Sequence, residues 1–302
     1  MKITTSLIMC FILVCILSGQ IHAYFPWAQG PMKEGKSDSG IVGDSYKSIV
    51  ESLKKLETTY PGLVTLSNLG KTADQQTLYG VIVRKKNIPT KKMIYISGAT
   101  HGDEYLNIAD RLIYAFLDGT NQEFHAFYER GGAFMVIPIF NPYGYSKRVR
   151  TNSASKDLNR DYSNILTAVN RFTQKETQLS VKWIDNFLSQ TNAQFVLSMD
   201  YHCCFNGSLL QPWSHTETPI VPPDRLKQDM LGELLKKQFA DAVYGPVTDI
   251  LWYAPDGTSM DYFYGKYGAI AGAYEGRNTV EANYFNKHVE WFKDIVEEFG
   301  NE

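Results

Sequence analysis

Apolar and polar positions repeat along this chain with two different periods, and the switches between them mark out its elements. Between residues 44 and 58, Ile49, Leu53 and Leu56 recur at helical spacing on one face, and Tyr60-Pro61-Gly62 closes the run. Strand-like runs follow at Leu63 to Leu66, Leu78 to Val83 and Met93 to Ser97. From Glu104 to Leu117 the period lengthens again, turning Leu106, Leu112, Ile113 and Phe116 inward and predicting a second helix. Ala133 to Phe140 is then almost uninterruptedly apolar, as expected of a strand covered on both faces. Further helices are predicted near 174 to 188, 225 to 242 and 281 to 299, with strands at Gln194 to Tyr201 and Gly268 to Tyr274.

Strands alternating with helices predict an α/β architecture: a mixed, mostly parallel central sheet flanked by helices. No repeat, linker or low-complexity tract interrupts residues 44 to 299, so one catalytic domain over 44–302 is expected. In such sheets, ligands bind beyond the carboxyl ends of the strands. The polar clusters of this sequence stand at those positions.

Composition narrows the picture in two ways. A hydrophobic content of 44% over 302 residues can build a sizeable core. The formal net charge of −2, with 30 basic and 32 acidic residues dispersed along the chain, leaves no basic stripe for nucleic acid or an anionic membrane. The amino terminus reads as a leader: Lys2, an apolar run from Leu7 to Leu17, then a short polar stretch ending at Ala23. The apolar run is shorter than the ~20 residues that span a bilayer. The expectation is a signal peptide over 1–23, an extended arm over 24–43, and a secreted or periplasmic protein with no stable membrane association after cleavage. Of the four cysteines, Cys10 and Cys15 fall in the leader and only the adjacent Cys203-Cys204 remains, so no disulfide framework is expected and the pair reads as two small buried hydrophobes.

Four clusters carry candidate chemistry. His101-Gly102-Asp103-Glu104 follows the strand ending near Ala99, and a His and Glu three residues apart can reach one ion. His202 stands at the end of Ser198-Met199-Asp200-Tyr201 and completes a His, Glu, His set that leaves a position open, as catalytic zinc requires. Arg150 precedes Asp157-Leu158-Asn159-Arg160, after the turn Asn141-Pro142-Tyr143-Gly144. Glu275 ends the last strand, with Tyr253 and Met260 upstream. Taken singly, each has an ordinary reading: His101 and Glu104 as a helix start, His202 as a core histidine, Arg150 and Arg160 as surface arginines, Asp157 as a turn residue.

Taken in order, these motifs resemble the zinc metallocarboxypeptidase family, of the carboxypeptidase A, B and T type that includes murein-peptide amidases. The resemblance covers about residues 44 to 299. It implies one zinc ion held by His101, Glu104 and His202, with Asp157 hydrogen-bonded to the first histidine. It implies that Asn159 and Arg160 grip the substrate's terminal carboxylate, that Arg150 polarises the scissile carbonyl, and that Tyr253 closes over the bound carboxylate. Glu275 resembles the general base that takes a proton from water and passes it to the leaving amine, with Asp200 and Asp261 next in line for that role. Met260 falls at the base of the side-chain pocket, near Ala254, Pro255 and Ala273, which implies a preference for apolar terminal residues. The implied partner is a peptide with a free carboxyl terminus, acted on by a monomer.

Several positions depart from the family pattern. Tyr143 replaces the usual Asp of the turn, and Asp103 stands where the digestive enzymes carry a substrate-contacting arginine. Only residues 24 to 43 separate the leader from the catalytic region, too few for the family's folded propeptide, so an enzyme exported ready for use is expected. Two alternatives stand beside the peptidase. A murein-peptide hydrolase acting at diaminopimelate would use the same zinc and differ in its pocket, where Asp256 is the residue able to attract an amine. An inactive peptide-binding module is disfavoured by the complete residue set. GxSxG and HExxH are absent, which disfavours a serine hydrolase and a zincin.

Overall fold

The computed structural model describes residues 44–278 and 282–301; the leader and arm expected over residues 1–43 lie outside the described residues. In chain order the elements are α1 (Tyr46–Thr59), β1 (Val64–Lys71), β2 (Thr77–Val83), β3 (Lys92–Gly98), α2 (Ala109–Leu117), α3 (Gln122–Glu129), β4 (Gly132–Ile137), α4 (Pro142–Lys147), α5 (Lys175–Thr191), β5 (Gln194–His202), β6 (Ser208–Gln211), α6 (Arg225–Gln238), β7 (Tyr244–Pro246), α7 (Val247–Leu251), α8 (Ser259–Tyr267), β8 (Ile270–Glu275) and α9 (Tyr284–Glu298). A 3₁₀ turn spans Leu158–Arg160.

The strands form one eight-stranded sheet in the order β1-β2-β4-β3-β5-β8-β6-β7. Its centre, β4-β3-β5-β8, is parallel, while β1, β2 and β6 run antiparallel to their neighbours β2, β4 and β8 respectively. Period-two alternation divides the core. Ile94 and Ile96 of β3 pack on one face with Leu53, Leu112, Phe116 and Trp291. Met93 and Tyr95 pack on the other with Met135, Ile184 and Phe263. Helices therefore cover both faces, and the expected α/β sandwich with a mixed sheet is the observed one.

Two expectations are corrected. The second helix begins at Ala109 rather than Glu104. Residues 101 to 108 form turns instead, with Asn107 in the left-handed region at φ 56° and the Glu104 N–H donating to the His101 carbonyl at 3.1 Å. The strand expected through Phe140 stops at Ile137, because Pro138 has no N–H to donate to a ladder. Cys203 and Cys204, read as two small buried hydrophobes, follow His202 directly, the first buried and the second half-buried.

Among the described residues no helix is long and apolar enough to cross a membrane.

Candidate active site

Four parallel strands deliver the polar clusters to one edge of the sheet. β3 leads through Ala99 to His101, β5 ends on His202, β8 ends on Glu275, and β4 leads to the segment carrying Arg150. His202 and Glu275 are direct neighbours in the β5–β8 register. The loop after β3 is held by close backbone contact: a Cβ on Gly102 would lie 1.9 Å from the Gly144 carbonyl carbon, so only glycine fits there. Asn141 sets the opposing turn by accepting from the Gly144 N–H at 2.9 Å.

His101, Glu104 and His202 are all buried and their donor atoms converge. His101 Nδ1 lies 2.6 Å from Glu104 Oε2 and 3.2 Å from His202 Nδ1, and His202 Nδ1 lies 3.3 Å from the same Oε2. Ligands ~2.0 to 2.1 Å from a tetrahedral zinc stand about 3.3 Å apart, so the triangle is of the right size. The far nitrogens assign the tautomers: Nε2 of His101 faces Asp157 Oδ1 at 3.0 Å and Nε2 of His202 faces Asp200 Oδ2 at 2.9 Å. With both Nε2–H groups donating outward, both Nδ1 lone pairs and a carboxylate oxygen face one point. A divalent cation fits that donor set.

Burial opposes ionisation of Glu104, yet His101 and His202 hold its carboxyl far below the usual range. Burial likewise opposes charge on Asp157, but His101 and Arg150 lower it strongly. For His202 burial works against the imidazolium, while Asp200 and Glu104 raise its pKa well above the ordinary value. Burial raises the Glu275 carboxyl.

Arg150 spans the two carboxylates behind the metal position, with Nη1 on Glu104 Oε1 at 2.9 Å and Nε on Asp157 Oδ2 at 3.0 Å. Asn159 is fixed by the Ser259 N–H donating to its Oδ1 at 3.0 Å and by its own N–H donating to Asp157. Arg160 donates Nη1 to the Asn159 carbonyl at 2.7 Å, and its Nη2 stands 3.5 Å from the Tyr253 hydroxyl. Gly257, at φ +84°, lets the loop after Tyr253 pack on the Arg160 carbonyl, 2.6 Å from where a Cβ would stand.

One cavity of about 190 Å³ joins these groups. His101, Glu104, His202, Arg150, Asn159, Arg160, Tyr253 and Glu275 are its polar lining, and Leu210, Val247, Leu251, Pro255, Met260 and Ala273 are among its apolar lining. A 150 Å³ apolar cavity accepts benzene, so an aromatic ring has room here.

At this edge of the sheet, every one of the candidate site residues lies in or directly behind a single cavity. The profile described as Zinc carboxypeptidase matches residues 49–299. The chain belongs to the zinc carboxypeptidase family. Mast cell carboxypeptidase A of Homo sapiens is 22% identical over 257 residues, covering 73% of this chain and 60% of that protein. Carboxypeptidase D of Mus musculus is 27% identical over 208 residues, covering 62% of this chain and 14% of that protein. The carboxypeptidase A structure from Helicoverpa armigera superposes with a TM-score of 0.62 at 16% identity, over 85% of this chain and 72% of that one. This chain thus spans less than two thirds of the mast cell enzyme.

Asp200 and Asp261, the reserve candidates for the base, are occupied elsewhere. Asp200 accepts from Ser97, Thr100, Ser259 and His202. Asp261 accepts from the backbone and hydroxyl of Ser214 and from His215. Asp256 points away from the cavity into Arg171 and Asn164, at 2.6 and 2.7 Å. Ala254, placed near the pocket by the sequence, is not among its lining residues, whereas Leu210, Val247, Leu251 and Phe205 are. His288 is a fully buried packing residue.

Proposed function

We propose that this zinc carboxypeptidase family member is a peptidase that releases the carboxyl-terminal residue of a peptide, with zinc held by His101, Glu104 and His202. The observation that carries the reading is the cavity itself, whose lining brings together a three-donor cluster, the Glu275 carboxylate, the Arg160 guanidinium and a set of apolar side chains. Zinc bound there supplies a Lewis acid that polarises the scissile carbonyl and makes water more acidic.

The protein's own groups do the rest. Arg160 pairs with the terminal carboxylate, aided by Asn159, and Tyr253 covers it, so only a chain end fits. The terminal side chain enters the recess floored by Met260. Glu275 takes a proton from water on its carboxylate and hands it to the departing amine. Its burial raises its affinity for that proton. Arg150, once a substrate carbonyl is near, offers N–H groups to the oxygen on which charge develops. Asp157 and Asp200 hold the two imidazoles in the tautomer that leaves Nδ1 free.

A pocket for diaminopimelate would need an acid facing the recess, and Asp256 is engaged by Arg171 instead. The apolar lining favours Phe or Leu as the released residue.

The test uses purified full-length protein. It is expected to hold about one zinc, to lose activity on chelation, and to cut free-acid peptides ending in Phe or Leu faster than those ending in Lys or diaminopimelate. Amidating the terminus leaves Arg160 unpaired at a cost of roughly 2 to 5 kcal/mol. Equal cleavage of free and amidated peptides overturns the exopeptidase reading; full activity without metal overturns the zinc.

A further inference from the structure

We propose that Arg171 is a positioning residue for the carboxylate grip: by forking onto Asp256 it pins the loop that carries Tyr253 to the segment that follows Arg160. The proposal rests on the carboxypeptidase reading above and deepens it, since neither Arg171 nor Asp256 is among the residues lining the cavity.

The fork is built from both sides. Arg171 donates Nη2 to Asp256 Oδ2 at 2.6 Å and Nη1 to Oδ1 at 3.3 Å, and the Asn164 amide donates to that same Oδ1 at 2.7 Å. Arg171 is held in turn. Its backbone N–H donates to Ser163 Oγ at 2.9 Å, and Nη1 also reaches the Tyr162 carbonyl at 3.4 Å. Asn164 is buried, and its Oδ1 accepts from the N–H groups of Leu166 and Thr167, both at 3.0 Å. The stretch from Asp161 to Phe172 closes on itself: the Phe172 N–H donates to the Asp161 carbonyl at 2.8 Å and the Asn164 N–H to the Val169 carbonyl at 2.9 Å. This bracket begins at the residue after Arg160.

Asp256 stands three residues after Tyr253. Upstream, the chain turns through Trp252, at φ 59° and 79% exposed, and the Tyr253 hydroxyl stands 3.5 Å from Arg160 Nη2. Downstream, two neutral bonds tie the base of the loop, from Ser214 Oγ to the Pro255 carbonyl at 2.8 Å and from the Tyr162 N–H to the Gly257 carbonyl at 3.1 Å. The Asp256 fork adds a charge-assisted, two-point contact, which fixes direction as well as distance. Without it the neutral bonds still close the loop's base, so the fold survives. The arc from Trp252 to Asp256 then gains freedom that carboxylate binding must remove.

Charge alone gives a different expectation. Removing the positive Arg171 would weaken attraction of an anionic substrate, and removing the negative Asp256 would strengthen it. A latch loses affinity both ways.

The experiment uses the full-length zinc enzyme, Arg171→Gln, Asp256→Asn, their combination, and Arg171→Lys. Zinc content is measured in each, and kcat and KM are taken for a free-acid peptide ending in Phe. Each Gln or Asn variant should raise KM roughly two- to fivefold, the scale of a partly exposed ion pair, with kcat and zinc little changed. The double variant should be no worse than the worse single one, because its second change removes a contact already lost. Arg171→Lys, which keeps the charge and loses the fork, should fall between native and Arg171→Gln. At short labelling times, deuterium uptake over residues 252 to 258 should rise in the variants. A lower KM for Asp256→Asn, additive effects in the double variant, unchanged uptake over 252 to 258, or a fall in kcat with loss of zinc each overturns the proposal. If the native enzyme cleaves nothing, the peptidase reading fails by itself. Calorimetric binding of N-acetyl-phenylalanine and the deuterium uptake, neither of which needs turnover, then decide the latch: values unchanged in both single variants overturn it.

Discussion

Glu275 and Met260 are the residues whose replacement separates chemistry from selection. Glu275→Gln keeps the shape and removes the proton acceptor, so peptide hydrolysis should fall at least ~10²-fold while zinc and peptide binding persist. A steady-state assay with a metal measurement checks both, and a loss below tenfold places the base elsewhere. Met260→Asp puts a carboxylate among apolar neighbours, where it is tolerated only beside a cation. The ratio of kcat/KM for Lys-ended over Phe-ended peptides should rise at least ~10-fold, which is about 1.4 kcal/mol. At this scale much of the site was legible in the sequence. His101, Glu104 and His202 each follow a strand end, and their residue types admit few other joint uses. Asp200 was legible too, since Asp and His two apart on a strand share a face, but its carboxylate was read as a spare base rather than as the partner of His202.

The loops after β3 and β4 position more chemistry than any helix does. Gly102 packs on Gly144 with no room for a side chain. Gly102→Ala must therefore push the turns apart and displace His101 and Glu104 with them. Zinc affinity is expected to drop by ~10- to 100-fold, the range seen when supporting residues of a metal site are altered. Chelator competition measures it, and an affinity unchanged within twofold would mean the loops yield freely. Long periodic segments such as α1, α5, α6 and α9 were legible because an amphipathic stripe over many residues has one interpretation. The start of α2 was misread because Leu106 falls in phase with the helix that follows, although residues 101 to 108 are tied up in turns. The short elements β6, β7, α7 and α8 escaped because a few residues carry too little periodicity. In α8, the consecutive aromatic residues Tyr262, Phe263 and Tyr264 blur any narrow stripe, and its start depends on Thr258 accepting from the Asp261 N–H.

For the molecule as a whole, His288 sets a pH limit. It is fully buried among the rings of Tyr201, Tyr274, Tyr284 and Phe239, and burial together with Arg277 lowers its pKa to about 3. An unfolded histidine binds its proton near pH 6.5, whereas the folded one stays neutral down to about 3. The unfolded state therefore gains protons first as pH falls, and the stability present above 6.5 is lost progressively through that window. At pH 5 the loss is about 2 kcal/mol from this residue alone, at ~1.36 kcal/mol per pH unit. Denaturant titrations of the native protein and of His288→Phe at pH 7.5 and 5 should differ in their pH dependence by that amount; identical dependence would contradict it. The fold class was legible at this scale because the alternation of strand and helix runs through most of the chain. The order of strands was not, since sequence neighbours β3 and β4 pair in the reverse of their order, and β8 inserts between β5 and β6. That insertion places both β5 and β8 inside the sheet, with paired neighbours on each side. Their backbone amides can then exchange with deuterated water only when the entire sheet comes apart. Those of the edge strands β1 and β7 can exchange by local fraying. The segments leading to His202 and Glu275 should thus be among the last to take up deuterium, which a pulse-labelling experiment on the intact protein would record.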